Sequence, residues 1–202
     1  MPRLLFGFAL AHFFLAEVGS AAVVYDEARH GDLAGEPLQP TLIAVRPGSN
    51  VIRGDSHAQP NLDRDFFTIR IAEDELLMKL VLQEFTMSAS PLIDDGAFLA
   101  VERGATFSDL SGNAMIGATL LGDAPYPLAG DDVLDDLGFV TYWEDGFTPP
   151  LGPGDYTFWY QQQTGTTSYA LDVVVTPLPP TWVFMGVALA GMFGLARSRK
   201  PR

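Results

Sequence analysis

Carboxylates are the residues of this sequence best able to do chemistry, and three groupings stand out. Asp63 and Asp65 flank a single arginine at the start of an apolar run, Asp94-Asp95-Gly96 marks a turn, and Asp131 to Asp136 places four acids in six residues. Ca2+ takes six to eight oxygen ligands at a flexible site, and loops that gather carboxylates near glycine supply them. No grouping has the spacing of an EF-hand or of the nonapeptide calcium repeat. The run from Asp131 to Asp136 reads equally as a solvated acidic loop or as caps around a short helical turn.

Other chemistries have less to work with. The chain has no cysteine, which excludes disulfides, thiolate zinc sites, iron–sulfur clusters and cysteine nucleophiles. Of its three histidines, His12 lies in an apolar N-terminal segment, while His30 and His57 stand in loop-like sequence outside any HExxH or Gly-x-Ser-x-Gly context. The chain is therefore read as non-enzymatic. Pairs of carboxylates suited to glycoside hydrolysis arise from acid number alone, so a secreted hydrolase stays open as a rival. Trp159, and Trp143 with Tyr142 and Phe147, are candidates for stacking on sugar rings. Such a platform requires an exposed ring.

The elements that must position these residues read as β. Phe67, Ile69 and Ile71 alternate with Thr68 and Arg70, which predicts a half-buried strand. Leu76 to Phe85 is long enough for a helix, but Met78, Leu80 and Leu82 alternate with Lys79 and Gln83 and favour a second strand. Ala97 to Glu102 is a third candidate. Tyr156, Phe158 and Tyr160 share one face of a later strand, with Trp159 on the other; Tyr169, Leu171, Val173 and Val175 then form the pattern of an antiparallel partner. The expected architecture is all-β, an antiparallel sandwich with a jelly-roll or Greek-key path.

Both ends differ from this domain. Met1-Pro2-Arg3 is followed by the apolar stretch Leu4 to Leu15, and the small residues Gly19-Ser20-Ala21-Ala22 come next. This is the pattern of a secretory signal peptide over residues 1–22, cleaved after Ala22 or one or two residues earlier. At the other end, Thr181 to Ala196 carries no charge. As a helix these sixteen residues span about 24 Å at 1.5 Å per residue, against a hydrocarbon core of roughly 30 Å. Snorkelling by Arg197, Arg199, Lys200 and Arg202 and anchoring by Trp182 make up the difference. Those four bases place the C-terminus in the cytoplasm and the preceding chain outside.

The order of Pro177-Leu178-Pro179, an apolar Gly/Ala-rich stretch and a basic end resembles the PEP-CTERM sorting signal of Gram-negative bacteria, over residues 177–202, with Leu178 where the namesake motif has Glu. The resemblance implies recognition and cleavage by a membrane-embedded exosortase; an unprocessed C-tail anchor is the plainer alternative. A second resemblance is carried by Asp63-Arg64-Asp65-Phe66-Phe67-Thr68-Ile69, Pro153-Gly154-Asp155-Tyr156-Thr157-Phe158 and Tyr169-Ala170-Leu171-Asp172-Val173. Together these look like the strands of bacterial pre-peptidase C-terminal domains. That family implies an accessory, non-catalytic module, and it makes Asp63 and Asp65 the preferred Ca2+ ligands.

Between the ends, residues 23–176 form one domain with seven bases and 24 acids, a net charge of −17. A face so acidic excludes nucleic acid as a partner. The sequence predicts an exported envelope or matrix protein, structural, adhesive or exopolysaccharide-associated. Its partners are an exosortase and, before processing, the membrane; a carbohydrate-binding module, with Trp159 as ligand residue, is the other alternative.

Overall fold

The computed structural model describes residues 21–88, 96–122, 126–139, 146–162 and 164–178. Among them, nine strands build two facing sheets. One has the order β1-β3-β9-β5, from β1 (Ala22–Asp26), β3 (Gly48–His57), β9 (Thr166–Pro177) and β5 (Glu75–Met87). The other has the order β2-β4-β8-β6-β7, from β2 (Thr41–Ile43), β4 (Arg64–Ile71), β8 (Gly154–Gln161), β6 (Ala97–Arg103) and β7 (Met115–Leu121). Two short helical turns, α1 (Glu27–His30) and α2 (Leu134–Gly138), complete the inventory. The fold is all-β and sandwich-like, and neither sheet closes into a barrel.

The core follows the period-2 alternation of the strands. Phe67, Ile69 and Ile71 of β4, Tyr156, Phe158 and Tyr160 of β8, and Leu171, Val173 and Val175 of β9 all turn inward and are buried. Phe67 stacks on Phe158 at 5.2 Å, and Tyr160 stacks on Tyr169 at 3.8 Å. Cutting a ring as fully buried as Phe158 back to alanine costs about 3–5 kcal/mol.

Several expectations change here. The sheets are mixed, because β1 pairs parallel with β3 and β2 parallel with β4. The strands expected to form a closing hairpin, β8 and β9, lie in different sheets: β8 pairs with β4 and β6, and β9 with β3 and β5. Their matching alternation is that of two faces meeting across a core. In β5 a register shift between Leu77 and Lys79 puts Leu77, Leu80 and Leu82 inside and leaves Met78 exposed.

The outer face of the five-stranded sheet carries its own cluster of Phe66, Ala100, Phe107, Met115 and Trp159. The segment after β6 is fastened over it. The Thr157 hydroxyl donates to the Gly104 carbonyl at 2.8 Å, and the Glu102 carboxylate accepts from both the backbone N–H and the hydroxyl of Ser108. The free edge of β5 is likewise occupied: the Leu82 N–H donates to the Asp131 carbonyl at 3.0 Å, and the Val133 N–H to that of Leu80 at 2.7 Å. A covered edge cannot recruit a foreign strand.

Candidate functional site

A buried carboxylate cluster forms where the N-terminal segment meets β4. Asp26 caps α1, its side chain accepting from the Ala28 N–H at 3.1 Å, which makes Glu27 the first helical residue. Gly31, at φ 91°, then turns the chain back, a conformation that suits glycine, and brings Asp32 beside Glu27. The Glu27 carboxylate is held from two sides, accepting from the Leu33 N–H at 2.8 Å and from the Asp55 N–H of β3 at 2.6 Å.

Asp65 arrives from the other sheet. It shares the inward parity of Phe67, Ile69 and Ile71, so the alternation that builds the core also buries this acid, with no exposed surface left. Its Oδ2 accepts from the Tyr169 hydroxyl at 2.8 Å, and Oδ1 has no hydrogen-bond donor. Tyr169 fits only because its neighbour on β3 is Gly54: a Cβ there would lie 2.6 Å from the tyrosine oxygen. One oxygen each from Glu27, Asp32 and Asp65 falls within 4.8 Å of the others, with Asp65 buried, Glu27 half-buried and Asp32 exposed.

This arrangement is electrostatically costly. Burial first, and then the neighbouring Glu27 charge, push Asp65 up to about 9, with the Tyr169 hydroxyl opposing. Burial also pushes Glu27 up to about 7, against the pull of its two backbone donors. Tyr169 is raised well above the ordinary phenol, by burial and then by Asp65. Among the described residues no lysine or arginine pairs with Glu27, Asp32 or Asp65. An open groove of about 450 Å3, with Asp26, Glu27, Arg53, Asp55, Glu84 and Phe85 in its wall, runs alongside and gives solvent a path to Glu27.

The expected site residues meet different fates. Asp65 stands in the cluster. Asp63 is one step outside it: its Oδ2 lies 3.1 Å from His57 Nδ1, and burial followed by Asp32 raises it while His57 pulls it down. Glu27 and Asp32 were missed by sequence reasoning; the one local signal is a helix start, Asp26-Glu27, that stops at Gly31, and it does not reveal their meeting with Asp65.

The acidic run does structural work. Asp132 Oδ1 accepts from the Leu80 N–H at 3.1 Å and from the Leu134 N–H at 3.2 Å, tying the β5 edge to the start of α2. Asp131 accepts from the Leu128 N–H at 2.8 Å.

Trp159 is 9% exposed. Its ring packs against Phe66 at 5.7 Å, Phe98 at 4.9 Å and Phe107 at 5.5 Å, so protein rings hold the surface a sugar would stack on. Phe147 is half-buried against the main core. Asp94 and Asp95, Tyr142 and Trp143 lie outside the described residues.

So do residues 1–20 of the signal segment, Pro179, the apolar stretch 181–196 with Trp182, and the basic residues Arg197, Arg199, Lys200 and Arg202. Ala22, the last signal residue of one cleavage choice, is the first residue of β1. Pro177 closes β9, and the Leu178 N–H donates to the Asp74 carbonyl at 2.6 Å. Among the described residues no helix is long and apolar enough to cross a membrane. No family model matches the chain, and no curated protein matches it.

Proposed function

We propose that the chain is an exported, non-catalytic structural or adhesive protein of a Gram-negative cell envelope or extracellular matrix, sorted by an exosortase. A signal peptide delivers it, and the Pro177-Leu178-Pro179 motif, the span 181–196 and the basic tail hold it in the inner membrane until processing. The mature part is one acidic sandwich associated with surface structure or exopolysaccharide. The observation that supports this reading is that β9, the last strand among the described residues, runs into Pro177, the first residue of the sorting tripeptide. The steps from β4 to β5 and from β8 to β9 cross between sheets, which supports a Greek-key or jelly-roll path.

The chemistry of the site favours a non-catalytic role over a hydrolase. A catalytic acid must reach the glycosidic oxygen, and Asp65 has no exposed surface. Mass spectrometry of the envelope-associated protein from cells with and without exosortase tests the sorting. The expected result is a new C-terminus near Pro177 only when exosortase is present. An intact Arg202 in both strains would make the segment a plain anchor and overturn the reading.

A further inference from the structure

We propose that the end of the sandwich at which β1 begins and β9 finishes is a lipid-docking surface, seated on the bilayer with Leu42 and the groove beside it against the lipid. The proposal rests on the reading of residues 181–196 as a membrane anchor, and its test separates a failure of one from a failure of the other.

The strand registers define that end. Ala22, where β1 begins, pairs with Asn50; Gly48, the first residue of β3, pairs with Val175; Pro177, the last of β9, pairs with Glu75. In the other sheet Ile43 of β2 lies beside Ile69, and Ile71 lies beside Gly154, the first residue of β8. The short turn from Ile71 to Glu75 sets the end of β4 level with the start of β5. Both limits of the described domain therefore fall on one side. The Leu178 N–H donates to the Asp74 carbonyl at 2.6 Å, which pins the chain to this turn just ahead of the uncharged stretch that starts at Thr181.

Two properties suit this end to lipid. The first is its apolar surface. Leu42 is 68% exposed next to buried Ile43, and Val23, Met78 and Leu178 are exposed as well. A groove of about 350 Å3 runs beside Leu42, walled by Ala44, Val45 and Ala72, with Arg70 and Glu75 at its margin. A single exposed apolar residue is ordinary, whereas several gathered around an apolar groove mark an interaction surface.

The second property is charge. Glu27, Asp32 and Asp65 meet at the opposite end, with Asp55 and Asp63 close by. At the groove end Glu73, Asp74, Glu75 and Asp155 share the surface with Arg46, Arg70, Lys79 and Arg103, and Arg70 pairs with Asp155 at 2.6 Å. Anionic headgroups repel the first end and accept the second, so charge turns the groove toward the bilayer. Arginine and lysine stems beside apolar residues also suit the headgroup level. A domain seated this way holds Pro177 at the membrane surface, within reach of an enzyme embedded there.

The chain has no cysteine, so Leu42→Cys and Leu62→Cys each give one labelling site. Both side chains are exposed, and Leu62 lies in the connection from β3 to β4, at the opposite end. Each full-length variant is labelled with the polarity-sensitive dye NBD and reconstituted into phosphatidylethanolamine–phosphatidylglycerol vesicles, with and without nitroxide-labelled lipid. Dye at position 42 should emit at shorter wavelength than dye at position 62, and only position 42 should be quenched by the nitroxide. Protein that floats with the vesicles but shows no quenching at position 42 would overturn the docking and leave the anchor standing. A blue shift there without quenching would put a second copy in the groove, and equal quenching at both positions would show no preferred end; either overturns the proposal. Protein that does not float with the vesicles would overturn the anchor reading, and the docking with it.

Discussion

Asp131, Asp132, Asp135 and Asp136 are neighbours in sequence, whereas Glu27, Asp32 and Asp65 are scattered over the first third of the chain; yet it is the scattered set whose carboxylates meet. The difference lies in what surrounds each acid. The run lies along the edge of β5 and the start of α2, where backbone N–H groups lack partners, and Asp132 serves two of them at once. Lys79 adds a charge at 3.6 Å. Asp136 is pushed up, by burial and then by Asp135 and Asp131. The scattered set is buried against itself, and its innermost member has a single neutral donor. Density of acids along a chain reports solubility and capping; the demand for a counter-ion is set by burial without donors.

The largest expected contrast is in pH dependence. With EDTA present, folded Asp65 binds a proton up to about pH 9 and folded Glu27 up to about pH 7, whereas unfolded carboxyls release theirs near pH 4. The folded state thus holds more protons between those limits. Stability is fullest below about pH 4 as far as these two groups are concerned, and is lost as pH rises through 7 and 9. Urea unfolding between pH 5 and pH 9 should show a loss on the order of 3 kcal/mol, discounted from the full linkage value. Asp65→Asn, which keeps an acceptor for Tyr169, should flatten the upper part of that curve. A wild-type curve that rises over this interval would break the contrast from the buried side.

Next in size is Asp132→Ala. It strands the N–H groups of Leu80 and Leu134, and should cost about 2 kcal/mol by urea denaturation, equally in EDTA and in Ca2+. A loss that appears only with Ca2+ would make the run a metal site after all. Smallest is Asp131→Asn. The amide oxygen can still accept from Leu128, and stability should stay within about 0.5 kcal/mol of wild type.

The strands with clean alternation were legible in the sequence. Residues of β4, β8 and β9 identify themselves, as does β6 by its apolar run. Their pairing was not, because a hairpin partner and a strand facing across a core show the same period. The strand β3 escaped notice for a different reason: Asn50 and Ser56 are buried on it, and Gly54 is required by the Tyr169 ring, so its sequence reads as a loop. Asn50 is tolerated because it donates to the carbonyls of Arg46 and Val173, contacts that exist only after folding. Asp65 was named from the sequence through a family resemblance, together with Asp63; its burial follows from standing in phase with Phe67, Ile69 and Ile71, which was not used. Glu27 and Asp32 were not, because their meeting with Asp65 depends on how α1 packs over the end of the sandwich. Trp159 was legible as lying opposite the core, but not as covered, since its cover comes from Phe107 in a segment without periodicity.

Asp65→Asn tests the central claim most directly, because it removes the buried acid and keeps an acceptor for the Tyr169 hydroxyl, which donates to Asp65 at 2.8 Å. In urea unfolding between pH 5 and pH 9, the variant should lose the part of the pH dependence that Asp65 contributes, and Asp132→Asn should keep it. A curve for Asp65→Asn that falls as steeply as that of wild type, or a flattened curve for Asp132→Asn, would contradict the account.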